Sequence, residues 1–112
     1  MKTRMMSFIL FWALGAVTLF ARADEKEKFN VAGNCGMCES RIEKAAKGVE
    51  GVLLADWDKE TKMIEVTFDP EQTDTGQIQK AIADAGHDTP KHKANDKVYD
   101  ELPGCCKYER ME

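Results

Sequence analysis

Histidine is scarce in this chain, with two among 112 residues, and neither His87 nor His92 has a serine near it in sequence. A serine-histidine hydrolytic constellation therefore has nothing to build on. Basic side chains are also in the minority, 16 Lys and Arg against 20 Asp and Glu, for a formal net charge of −4. Nucleic-acid phosphates need a basic footprint, so this balance excludes nucleic acid as a partner and favours basic or cationic ones. No apolar run reaches the ~20 residues of a membrane-spanning helix. There is no internal repeat and no low-complexity tract, and the length allows one domain with a modest core.

The longest apolar run, Met5 to Phe20, follows Lys2 and Arg4 and leads into Ala21-Arg22-Ala23. A basic start, a short apolar stretch interrupted by Ser7, Gly15 and Thr18, and an A-x-A site form the layout of a secretory signal peptide. Residues 1–23 are read as that peptide, cleaved after Ala23. The alternative is an uncleaved anchor helix, but no stop-transfer pattern follows in Asp24-Glu25-Lys26-Glu27-Lys28. Cleavage would remove Lys2, Arg4 and Arg22, taking the net charge from −4 to −7 and leaving 89 of the 112 residues. The expectation is an exported protein, periplasmic in location, with no membrane span after cleavage. All four cysteines, Cys35, Cys38, Cys105 and Cys106, lie in the part that remains. Disulfide formation is open to them in such a compartment.

Residues 24–28 read as a charged, disordered leader. Phe29 and Val31 alternate with polar neighbours, predicting a strand that ends at Gly33, and Asn34 to Cys38 a loop. Ile42, Ala45, Ala46 and Val49 recur at helical spacing, with Glu39, Arg41, Glu43, Lys44 and Lys47 on the other, solvent side, predicting a helix from about Met37 to Lys47. Strands are expected at Val52–Asp58, with Leu53, Ala55 and Trp57 on one face, and at Met63–Phe68, with Ile64, Val66 and Phe68 on one face. A hairpin loop over Lys59–Lys62 joins them. Thr73 or Asp74 can cap a second helix with the stripe Ile78, Ala81, Ile82 and Ala85, stopped by Gly86. His87 to about Lys91 reads as a short fourth strand at an edge, because Pro90 cannot donate to a ladder. The order β-α-β-β-α-β is the split βαβ, or ferredoxin-like, α+β arrangement of one antiparallel sheet with both helices on one face. The domain is assigned to residues 29–91. Residues 92–112 form a C-terminal tail, with a short helix around Val98, Tyr99 and Leu102 and then Pro103-Gly104 before the paired cysteines. If the tail folds back, Val98, Tyr99, Leu102 and Tyr108 are expected to dock it on the open face of the sheet.

Two thiolates in Cys35-Gly36-Met37-Cys38 can converge on one ion, and a helix starting there stabilises thiolate over thiol. Thiolates are soft ligands. A two-thiolate site is open, which suits near-linear Cu(I) or Hg(II) better than the four ligands of structural zinc. The same spacing also suits dithiol redox chemistry, or a structural disulfide, and the motif alone leaves metal and redox roles level.

The segments Phe29-Asn30-Val31-Ala32-Gly33-Asn34-Cys35-Gly36-Met37-Cys38, Arg41-Ile42-Glu43-Lys44-Ala45, Val49-Glu50-Gly51-Val52, Ile64-Glu65-Val66-Thr67-Phe68-Asp69-Pro70 and Ile82-Ala83-Asp84-Ala85-Gly86-His87 resemble the heavy-metal-associated domain family. That family comprises copper chaperones, the metal-binding domains of copper-transporting ATPases and periplasmic mercury-binding proteins. An exported stand-alone copy is similar in layout to the last of these. The resemblance implies a ferredoxin-like fold with the metal held by Cys35 and Cys38. Where the family has Gly-Met-x-Cys-x-x-Cys, this chain puts Gly33 in the methionine position. Met37 could supply a thioether or a surface contact instead. His87 falls in the loop that lies near the metal loop in the family, so it is a candidate third ligand or proton donor, with a solvated turn residue as the alternative; His92 reads as an exposed tail residue.

Neighbouring side chains of an extended chain diverge, so Cys105 and Cys106 can share an ion only across a special turn, which Pro103-Gly104 could provide. They could complete a site with Cys35 and Cys38, form a second soft-metal or transfer site, form disulfides that protect the metal thiols, or have no metal role. The function expected is sequestration or delivery of Cu(I), with Hg(II) or Zn(II) as lesser options, by thiolate exchange with a membrane metal transporter or another metal-binding protein. On this reading the chain is not an enzyme. The alternative is a thiol-disulfide oxidoreductase with Cys35 as nucleophile and Cys38 as resolving thiol. Against it, the element order differs from thioredoxin and no cis-proline candidate faces the loop.

Overall fold

Alternating apolar residues build a three-stranded sheet in the computed structural model, which describes residues 23–111. Of the expected signal peptide, 1–23, residues 1–22 lie outside the described residues. Strands β1 (Glu25–Asn30), β2 (Val52–Trp57) and β3 (Met63–Phe68) pair antiparallel in the order β1-β3-β2. Ile64, Val66 and Phe68 of β3 point inward and are buried, as the period-2 pattern requires. Phe29 of β1 sits opposite Ile64 and joins the same core.

Helix α1 (Gly36–Lys47) lays Cys38, Ile42 and Ala46, each four residues from the next, against that core. Glu39 in its first turn and Lys44 and Lys47 in its last complement the helix dipole. Helix α2 (Thr75–Asp84) begins at Asp74, whose carboxylate accepts from the Gln77 N–H at 2.9 Å. It ends at Gly86, where φ is +114°. There the Gly86 N–H donates to Ala83 and the His87 N–H to Ile82, the paired bonds of a Schellman ending. A Cβ on Gly86 would also stand 3.0 Å from Leu102, so the residue serves both the turn and the tail. Ile42, Ile64, Ile78 and Ile82 are fully buried, and each such side chain contributes about 1.5–3 kcal/mol of burial. The result is the ferredoxin-like α+β arrangement.

Four expectations are corrected. The charged leader is not frayed: Glu25 to Lys28 run along β3, because an edge strand needs only backbone partners and leaves its side chains in water. Leu53 and Leu54 are 48% and 62% exposed because a bulge between Val52 and Leu54 breaks the alternation, leaving Ala55 and Trp57 as the inward pair. No fourth strand forms over 87–91 among the described residues. One backbone bond, from Ala32 N–H to Asp88 C=O at 3.0 Å, aligns this segment beside the end of β1, and Thr89 then turns back to bond His92. Finally, the tail does fold back, through Tyr99, Leu102 and Tyr108, but onto the 86–88 segment and the cysteine loop rather than the open sheet face, where Leu54 stays exposed. Its elements are helix α3 (Asp96–Asp100), capped by the Asn95 side chain, and a 3-10 turn at Gly104–Cys106.

Candidate metal centre

The loop between β1 and α1 is fixed from below. Trp57 donates its indole N–H to the Val31 carbonyl at 3.1 Å, and a Cβ on Gly33 would lie 3.0 Å from the indole and 3.1 Å from Ile42. Gly33 is thus required by close approach, and the indole fills the space beneath the loop. Cys35 occupies the N-cap of α1 with extended backbone, and its carbonyl accepts the first helical bond from Glu39.

Four thiols converge here, all free. Cys35 Sγ lies 3.7 Å from Cys38 Sγ and 3.7 Å from Cys106 Sγ, and Cys105 and Cys106 are 3.9 Å apart. The sulfurs of Cys35, Cys105 and Cys106 all lie within 4.8 Å of one another. The 3-10 turn brings the adjacent tail thiols together: the Cys106 N–H closes on the Pro103 carbonyl at 2.8 Å. Cys38 and Cys106 are buried, Cys35 is half-buried and Cys105 is exposed. Met37, 53% exposed, places its thioether 3.6 Å from Cys105.

The thiols differ in acidity. Cys35 is lowered to about 7, chiefly because the Cys38 backbone N–H at the helix start donates to its sulfur. Burial pushes Cys38 up to about 11. Contact with the Cys35 and Cys106 sulfurs raises Cys105.

His87 is fully buried and does not join the thiol cluster. Its Nδ1 donates to the Ala32 carbonyl at 2.8 Å, its Nε2 faces Arg41 Nη1 at 3.5 Å, and its ring stacks on Tyr108. Burial and the Arg41 charge lower its pKa, keeping it neutral, although the Ala32 carbonyl pulls the other way. The residue that reaches the thiols is Arg41, whose Nη1 donates to Cys106 Sγ at 3.3 Å. Sequence reasoning left Arg41 on the solvent side of the helix. The signal that could have found it is its position three residues after Cys38, which puts both on one helix face. His92 is half-buried at the turn with Thr89.

Residues 28–88 match the family described as heavy-metal-associated domain. The chain belongs to the heavy-metal-associated domain family. The copper chaperone CopZ of Staphylococcus aureus is 36% identical over 64 residues, covering 56% of this chain and 94% of that protein. Among solved structures, oxidized MerP from Ralstonia metallidurans CH34 superposes with a TM-score of 0.57 at 37% identity, covering 60% of this chain and 94% of that one. The Cu(I)-loaded N-terminal domain of a potential copper-translocating P-type ATPase from Bacillus subtilis gives 0.57 at 26% identity, covering 60% and 85%. This chain therefore carries a heavy-metal-binding domain. The family match ends at Asp88, so Cys105 and Cys106 lie outside it.

Proposed function

We propose that this protein is an exported carrier of a soft metal ion, Cu(I) above Hg(II) or Zn(II), which holds its cargo through Cys35 and Cys38. The observation that carries this reading is the convergence of Cys35 and Cys38 at 3.7 Å at the start of α1, with Cys35 held near neutral acidity. Similarity to a copper chaperone and to a Cu(I)-loaded domain supports copper as the cargo. Among the described residues no helix is long and apolar enough to cross a membrane. Export rests on the N-terminal layout of Lys2 to Ala23.

Delivery proceeds by thiolate exchange. A cysteine of a membrane metal transporter or of another metal-binding protein attacks the ion, a three-coordinate bridge forms, and one of the two loop thiolates leaves. The incoming thiolate donates an electron pair to the ion and the leaving thiolate takes its own away, with no change in oxidation state, so the ion is cargo rather than a catalyst. The acidic surface sets which partner docks and how fast. Anaerobic Cu(I) titration against a competing chelator tests the reading: the Cys35→Ser/Cys38→Ser variant should lose tight binding, and wild-type affinity in that variant would sink it.

The split in acidity between Cys35 and Cys38 also suits a thiol-disulfide oxidoreductase with Cys35 as nucleophile. Disulfide-reductase activity that persists without metal would favour that second reading, and an inert, strongly reducing disulfide would count against it.

A further inference from the structure

The four thiols form two overlapping sets that share Cys35. One is the loop pair, Cys35 and Cys38. The other is the triad of Cys35, Cys105 and Cys106, whose sulfurs all lie within 4.8 Å of one another. With a metal–sulfur bond of about 2.3 Å, two linear ligands stand about 4.6 Å apart, whereas trigonal ligands stand about 4.0 Å apart. The observed spacings of 3.7 Å from Cys35 to Cys106 and 3.9 Å from Cys105 to Cys106 fall on the trigonal side, as does the 3.7 Å between Cys35 and Cys38, so what distinguishes the triad is its third sulfur.

Two further features make the triad a built position rather than a chance contact. Arg41 places a guanidinium 3.3 Å from Cys106 Sγ, where it offsets the added negative charge of a third thiolate. The tail that carries the thiols is also locked in place. Asp88, fully buried, accepts from Arg110 at 2.8 and 3.0 Å, from the Met111 N–H at 3.0 Å and from the Ala94 N–H at 2.8 Å. Tyr108 donates to the Gly86 carbonyl at 2.6 Å and accepts from the Asp88 N–H at 3.0 Å. Ordering the donors before the ion arrives removes an entropic cost of binding.

We propose that Cys35, Cys105 and Cys106 form a three-thiolate position for a soft d10 ion, and that the tail acts as an internal exchange partner for the Cys35–Cys38 pair. The proposal rests on the carrier reading above. The ion keeps its bond to Cys35 while bonds to Cys106 and Cys105 form and the bond to Cys38 breaks. One proton lost by the incoming thiols passes to the leaving Cys38 sulfur and the other goes to solvent, with no change in oxidation state. Cys105, exposed and beside the Met37 thioether, is the member from which an outside thiol can collect the ion.

The test uses Cu(I) alone, loaded anaerobically, with affinity read by chelator competition and sulfur coordination number read by X-ray absorption. Wild type should show three sulfurs. Cys38→Ser should still bind one Cu(I) through three sulfurs, whereas Cys105→Ser/Cys106→Ser should fall to two sulfurs and bind about 100-fold more weakly. Arg110→Ala, which keeps every thiol but frees the tail, should also shift toward two sulfurs; this covers the case in which the serine variant misfolds. The proposal is overturned if Cys38→Ser does not bind while Cys105→Ser/Cys106→Ser matches wild type in affinity and coordination, an outcome that leaves the carrier reading standing. Absence of Cu(I) binding by wild type would overturn both.

Discussion

The core between Phe29 and Ile82 is held by buried Ile42, Ile64, Val66, Ile78 and Ile82, whereas the tail after Thr89 adds to the apolar contacts of Leu102 and Tyr108 a set of polar bonds to Asp88 and from Tyr108. The first kind of attachment tolerates small shifts, since apolar contact has no direction. The second depends on direction and on every partner being present, because a buried polar group left unpaired is costly. Two halves of one metal centre therefore sit on differently built supports. Cys35 and Cys38 ride on the apolar core, and Cys105 and Cys106 ride on a polar clasp.

The largest effect should come from the joint between the two. Asp88→Ala leaves the Ala94 and Met111 N–H groups without their acceptor and Arg110 with only Asp96 and the Ala94 carbonyl, and should cost about 2–4 kcal/mol in urea unfolding. Acid should reproduce part of this loss. Burial alone would raise the Asp88 pKa, but Arg110 and the N–H groups of Ala94 and Met111 outweigh it and hold the carboxyl below the usual range. Its contribution is thus full above the ordinary value of about 3.9 and is lost as pH falls through the lower folded value, which near-UV circular dichroism of Tyr99 and Tyr108 would follow.

Tyr108→Phe attacks the clasp alone. It leaves the Gly86 carbonyl and the Asp88 N–H unpaired, should cost about 1–3 kcal/mol, and should speed alkylation of Cys106 more than that of Cys38. Gly33→Ala attacks the core side, since its Cβ would press on Trp57 and Ile42; the expected cost is about 1–3 kcal/mol, with Cys106 reactivity unchanged. The smallest and sharpest comparison is between the two loop thiols. Iodoacetamide should modify Cys35 with a midpoint near pH 7, while Cys38, raised to about 11, stays unreacted at neutral pH. Equal rates at pH 7, read by mass spectrometry, would contradict the asymmetry.

The same contrast explains what could be read in advance. Helix α1, strand β3 and helix α2 follow from apolar periodicity, Asp74 and Gly86, because burial of Ile42, Ile64 and Ile78 decides those elements. The Cys35–Cys38 loop was legible from spacing. Glu25 to Lys28 were not, since an exposed edge strand imposes no side-chain pattern. His87, Asp88 and Thr89 carry polar side chains yet are buried, so composition suggested a strand or turn at the surface where the structure has a buried anchor. Arg41 was hidden for the opposite reason: a charged residue on a helix normally reads as solvated.

Trp57, wedged under Gly33, gives the centre a voice of its own. The sequence holds two tryptophans, Trp12 and Trp57, so a chain beginning at Asp24 would have a single indole emitter, packed directly beneath the cysteine loop. Loading, unloading and transfer of an ion should then be visible in real time as changes in its fluorescence, without a dye and without altering a single residue.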